Sequence, residues 1–194
     1  MDYLGFDAYE NSINKKGSST VFMAKEAGVD FLIIQGKNPG FKGVKLSGGN
    51  IKAPLNHVNA NALRKFLPFT APSKVLGHER SFGLGDRLGI ATPGHIRLFE
   101  KYDVSPVFAQ QSIRELTLTN RSYEDVLDAA SFAVFREGYK KAWGADGDHL
   151  KNVKDVKNAL SLGFTMITLD CSEHINNEVT VENAPALDKK IADK

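Results

Sequence analysis

The chain has 194 residues, 42% of them hydrophobic and 25% charged, with a formal net charge of +2. That balance excludes a disordered or collagen-like polypeptide, and with no Lys/Arg block it leaves no electrostatic footprint for nucleic acid. The single cysteine, Cys171, rules out an internal disulfide and fits a reducing compartment. No apolar run reaches the ~18 residues that suggest a membrane span, and the first residues lack a signal-peptide pattern, so a cytoplasmic location without membrane partners is expected.

Residues 19–25 and 29–35 are β-rich runs separated by Glu26-Ala27-Gly28, which predicts an antiparallel hairpin. Residues 36–50, rich in Gly and Lys, read as loop. Residues 59–66 read as a short helix ended by Pro68 and Pro72. From residue 81 strands and helices alternate. Thr92 as N-cap and Pro93 as first helical residue open a helix to about residue 102, followed by a buried strand over 104–110. Ser122, with Asp125 three residues on, forms a capping box for a helix reaching about residue 140, whose Val126, Ala129, Ala130, Ala133 and Val134 keep helical spacing. A strand over 143–146, a helix over 153–162 closed by Gly163, and a strand over 164–170 complete the pattern. Phe99, Tyr102, Phe132 and Phe135 are expected in the core, Cys171 is read as a small buried residue, and the polar tail 176–194 is expected to be poorly ordered.

Strands separated by single helices imply right-handed crossovers and parallel pairing, an α/β arrangement. About three such units fit between residues 81 and 175, whereas a closed (β/α)₈ barrel takes roughly 250 residues. The expectation is therefore an open sheet or part of a barrel, preceded by a small β-rich N-terminal region. The division read from the sequence is 1–74, 75–175 and 176–194.

In parallel α/β folds the chemistry gathers where strands end. Gln110, Gln111, Ser112, Arg114 and Glu115 follow one strand; Asp146, Asp148 and His149 follow the next; Asp170, Ser172, Glu173 and His174 follow the last. The last two groups join carboxylates to a histidine, the donor types of a divalent metal site with an acid–base group. The segment Ser81-Phe82-Gly83-Leu84-Gly85-Asp86-Arg87-Leu88-Gly89 lets the backbone approach an anion and offers Arg87 as a planar fork. It matches neither the phosphate-binding P-loop nor the dinucleotide fingerprint, and no clear strand precedes it. His57 and His78 are assigned no role, His95 is read as packed or solvated, and Ser112 lacks the partners of a nucleophilic triad.

The glycine-rich segment, continued by Ile90-Ala91-Thr92-Pro93-Gly94-His95, together with Phe108-Ala109-Gln110-Gln111-Ser112-Ile113-Arg114-Glu115-Leu116, Gly144-Ala145-Asp146-Gly147-Asp148-His149-Leu150-Lys151 and Phe164-Thr165-Met166-Ile167-Thr168-Leu169-Asp170, resembles the N-terminal part of the tagaturonate epimerase family. The resemblance implies a divalent-metal-dependent barrel enzyme that interconverts D-tagaturonate and D-fructuronate in hexuronate breakdown. Asp148-His149 is also similar to the Asp-His pair of class II aldolases, which implies Asp148 as the proton-handling catalytic residue and His149 as a metal ligand. Asp86, Arg87, Gln111, Arg114 and Asp146 are the candidate substrate contacts. Family members are longer, which implies that other metal ligands, and a complementing C-terminal half or a second copy, complete the site. A class II-type aldolase acting on a sugar acid or sugar phosphate, and an inactive fragment, are the competing readings.

Overall fold

The computed structural model describes residues 1–77 and 80–175; His78 and the tail 176–194 lie outside the described residues. The chain builds two sheets in succession. The first contains β1 (Asp2–Tyr3), β2 (Phe6–Ala8), β3 (Asn14–Lys16), β4 (Ser19–Glu26), β5 (Val29–Gly36), β6 (Val44–Lys45) and β7 (Ile51–Pro54), all paired antiparallel. The predicted hairpin is its centre. β4 and β5 pair from Ser19↔Gly36 to Glu26↔Val29 across Ala27-Gly28, both with positive φ (49° and 83°), the backbone of a type I′ turn whose twist matches the flanking strands. The short strands around this hairpin were not expected; two or three residues carry too little alternation to be read.

Helix α1 (His57–Phe66) follows, capped by the Asn56 side chain accepting from the Asn59 amide, and covers one sheet face with Ala60 and Leu63. The second sheet is made of β8 (Ser81–Gly83), β9 (Ser105–Ser112), β10 (Gly144–Leu150) and β11 (Met166–Leu169). Its four strands are parallel and lie side by side in chain order. Each new strand is added on the same side, as in a (β/α) barrel; a doubly wound sheet would reverse direction part-way. The connections carry α2 (Thr92–Phe99), α3 (Ile113–Thr119) with α4 (Tyr123–Glu137), and α5 (Val153–Leu162). The fold is thus a partial (β/α) barrel preceded by a separate antiparallel region. No helix among the described residues is long and apolar enough to cross a membrane.

α4 joins the two parts. Val126, Leu127, Ala130 and Val134 pack with Phe108, Tyr139 and Trp143 in the barrel core, while Phe132 and Phe135 pack with Met23, Leu32 and Leu63 under the first sheet. A helix apolar around most of its circumference is one buried between layers. Its capping box is formed as expected, and it ends at Gly138 (φ +69°), where a Cβ would stand 2.7 Å from the Asn11 carbonyl oxygen. A second tie is polar: Arg64 on α1 and Asp128 on α4 pair at 2.9 Å, with His57 Nδ1 also 2.9 Å from Asp128. A third is the Trp143 indole N–H, which donates to the Phe69 carbonyl at 3.0 Å.

Several sequence expectations need correction. Ala91, not Thr92, is the N-cap of α2, and the helix stops at Phe99, leaving Tyr102 exposed. β10 runs on through Asp148 and His149 to Leu150, where sequence patterning ends the strand at Asp146. α3 is an additional helix, and a strand, β8, lies within the glycine-rich segment itself. Cys171 is exposed, in the short link between the end of β11 and the 3₁₀ turn at Ser172–His174.

Candidate active site

The C-terminal ends of β9, β10 and β11 surround an open cleft of ≈ 670 Å³. Ser112, Arg114 and Glu115 line it from the β9 side, Asp148, His149 and Lys151 from β10, Asn152 and Asp155 from the start of α5, and Asp170 from β11. This is the rim where barrel enzymes place their chemistry.

Consecutive strand residues normally face opposite ways. Asp148 and His149 do not: His149 Nδ1 lies 2.7 Å from Asp148 Oδ1, and both line the cleft. The cause is a break in the strand. The β10–β11 register shifts between Gly147 and Leu150, and His149 takes a left-handed backbone, φ +55°. A bulge of this kind re-aims a side chain, at a local cost of about 1–3 kcal/mol for a non-glycine residue. A carboxylate only accepts, so in this pair Nδ1–H donates to Asp148 Oδ1. The Asp148 side chain is 15% exposed and that of His149 60%, so the carboxylate is sheltered while the imidazole is presented.

Asp86 is placed differently from a ligand-binding group. Its buried carboxylate accepts from the backbone N–H groups of Gly89 (2.8 Å), Ile90 (3.1 Å), Ala91 (2.9 Å) and Thr92 (2.8 Å), and from the Thr92 hydroxyl (2.8 Å). Burial alone would raise this carboxyl, but the Thr92 hydroxyl and the backbone donors outweigh it and hold it below its ordinary value. Asp86 therefore caps α2 from six residues upstream, which is why Thr92 is free to enter the helix. Arg87 is exposed and pairs with Glu115 on the cleft wall. Gln111 is buried; its amide nitrogen donates to the Thr119 hydroxyl (3.2 Å) and the Arg87 carbonyl (3.4 Å), and its oxygen accepts from Arg121 (3.0 Å). Arg114 is exposed in the cleft and makes no ion pair among the described residues. Asp146, on the same strand as Asp148, is fully buried and does not line the cleft.

Lys151, absent from the sequence-derived candidates, lines the cleft with Nζ 2.8 Å from Glu173 and 3.7 Å from Asp170. No sequence signal marks it, because sequence patterning ends the strand at Asp146, whereas β10 runs to Leu150 and leaves Lys151 on the rim. His174 sits in a short 3₁₀ turn outside the cleft lining. Among the described residues no group of three His, Cys, Asp or Glu side chains is placed to hold a metal ion, so the described residues do not by themselves fit the divalent cation that the resemblance implies.

Parallel strands in chain order, with an acid–imidazole pair on their C-terminal rim, are the architecture of the first units of a (β/α) barrel. Residues 9–194 match the family model of tagaturonate epimerase (UxaE), and the chain belongs to that family. It is 41% identical over 179 residues to the tagaturonate/fructuronate epimerase of Thermotoga maritima, covering 89% of this chain and 37% of that protein. A glycerol-complexed crystal structure of fructuronate-tagaturonate epimerase UxaE from Cohnella laeviribosi is 44% identical with a TM-score of 0.86, covering 90% of this chain and 36% of that one. The native crystal form gives the same identity and TM-score over 89% and 36%. The chain thus spans a little over a third of the length of these relatives.

Proposed function

We propose that this chain forms the first part of an epimerase interconverting D-tagaturonate and D-fructuronate, an isomerase of hexuronate breakdown, and that Asp148 is its acid–base residue. The observation that supports this best is the bulge that turns Asp148 and His149 together into the cleft of a family member.

The two ketouronates differ at a hydroxyl-bearing carbon β to the ketone, whose C–H that ketone does not acidify. A retro-aldol route avoids removing it. Asp148 takes the proton of the β-hydroxyl; the O–H electrons form the aldehyde C=O, and the bond between the α and β carbons breaks, leaving its pair on the enolate. The aldehyde rotates, the enolate adds to its other face, and Asp148 returns the proton. General acid–base help of this kind is typically worth about 10²–10⁴ in rate. His149 shares its Nδ1 proton with Asp148 and so orients the carboxylate. Arg114 is the better anchor for the substrate carboxylate, because Arg87 is already engaged by Glu115.

The proposal includes a divalent cation with His149 Nε2 as one donor and the others from outside the described residues; no step above depends on it. It also includes a complementing polypeptide that pairs with the open sheet, in place of the aldolase and inactive-fragment readings. The test is product analysis by NMR with D-tagaturonate, using the chain alone and the chain with the polypeptide corresponding to the rest of the relatives' length. Formation of D-fructuronate, reduced 10²-fold or more by Asp148→Asn, supports the reading. Accumulation of two three-carbon fragments establishes an aldolase instead, and full activity of Asp148→Asn removes Asp148 from the chemistry. Metal analysis of the chain alone should show less than one bound equivalent.

A further inference from the structure

Asp146 is completely buried on the strand that carries the acid–imidazole pair. Its Oδ2 accepts from the Thr168 hydroxyl on β11 at 2.7 Å and from the Gln110 amide on β9 at 3.1 Å. Its Oδ1 is buried with no hydrogen-bond partner. Both neighbouring strands thus offer neutral donors, and no Lys, Arg or His among the described residues pairs with it. The titratable groups that sense its charge are Asp148 on its own strand and the Tyr123 phenol on α4, itself buried and unpartnered. Neither would stabilise a carboxylate by its charge. An ionised carboxylate needs a paired cation or a full set of donors when it leaves water, and this one has neither. Burial first, and then the Asp148 charge, push the carboxyl above its ordinary value, against the opposing hydrogen bonds of Thr168 and Gln110.

We propose that Asp146 is a positioning residue held as a neutral carboxylic acid, tying β9, β10 and β11 together while withholding a negative charge from the cleft. Its meaning for substrate choice rests on the epimerase reading. A ketouronate brings a carboxylate into a cleft already lined by Glu115, Asp148, Asp155 and Asp170, against Arg114, Lys151 and His149. A fifth carboxylate on the same strand as Asp148 would oppose an anionic ligand and leave a neutral sugar unaffected.

The acid itself is tested without any assay of activity. Infrared spectra of the unmodified chain at neutral pH should contain the carbonyl stretch of a buried protonated carboxylic acid, and Asp146→Asn should lack it. Thr168→Val removes a bond that favours the charged form, so its band should persist to higher pH than that of the unmodified chain. The withholding of charge is tested by NMR titration of the chain joined by its complementing polypeptide, with D-fructuronate and, as neutral control, D-fructose. From neutral to alkaline pH the unmodified chain should lose about 5-fold or more in affinity for fructuronate, the low end of coupling between two sites. The loss should be smaller in Asp146→Asn, and the fructose control should not change. Absence of the band, or its retention in Asp146→Asn, overturns the proposal, as does an unchanged pH slope in that variant. An intact band with no fructuronate binding at any pH supports the neutral acid and overturns the epimerase reading.

Discussion

Replacing Asp86 by Ala removes the acceptor of five hydrogen bonds at once. A hydrogen bond to a charged group contributes about 1.5–3 kcal/mol, and a buried donor left unsatisfied costs about 1–3 kcal/mol. The amides of Ile90 and Ala91 belong to exposed residues and can turn to water, whereas Thr92 is buried and its amide and hydroxyl cannot. The expected loss is therefore about 3–5 kcal/mol, not the sum of five bonds. With a urea m-value of about 1–3 kcal/mol/M, the unfolding midpoint should fall by roughly 2 M at unchanged m. The acid dependence should change too. The folded carboxyl lies below its unfolded value, so its contribution is complete above the unfolded value and is lost as pH falls through the folded one. The variant should therefore lose less stability on acidification than the unmodified chain. A loss of under about 1 kcal/mol, with the acid limb unchanged, would show that the loop holds itself and that the cap assignment is wrong.

Other substitutions probe the remaining supports. Asp128→Ala leaves the Arg64 guanidinium buried at 9% side-chain exposure without its ion partner, and should cost about 3–5 kcal/mol in thermal or urea unfolding. His149→Gly relieves a left-handed backbone and should raise stability by about 0.5–1 kcal/mol in urea unfolding; a destabilised variant would refute the strain. Ala27→Asn suits the first position of the type I′ turn and should stabilise by about 0.5–1 kcal/mol, read as a higher urea midpoint.

What could be read from sequence follows from the range of the forces involved. The helix at Val153–Leu162 with Gly163 behind it, the Ser122–Asp125 capping box and the β4–β5 hairpin are set by neighbours within a few residues, and all three formed as read. Sequence patterning ends β10 early because Asp146, Gly147, Asp148 and His149 carry the polarity and glycine content of a turn. A strand can hold such residues when one face supplies neutral hydrogen-bond partners, here Gln110 and Thr168, and these lie 36 and 22 residues away. The α2 cap failed for a related reason: a carboxylate six residues upstream displaced the local Thr-Pro signal. The Asp148–His149 pair was legible as composition, but its shared orientation was not, since nothing local announces a left-handed histidine.

The parallel sheet has a strand neighbour on only one side of β8 and of β11 among the described residues, and Phe82 and Leu169 stand 60% and 65% exposed there. Edges that lack a neighbour among the described residues are a template for any extended backbone that arrives with compatible direction. Purified alone, the polypeptide should self-associate as its concentration rises. Supplied with a matching β/α segment, the same edges become a capture device, and reconstitution from two separately produced pieces becomes a practical route to studying the barrel.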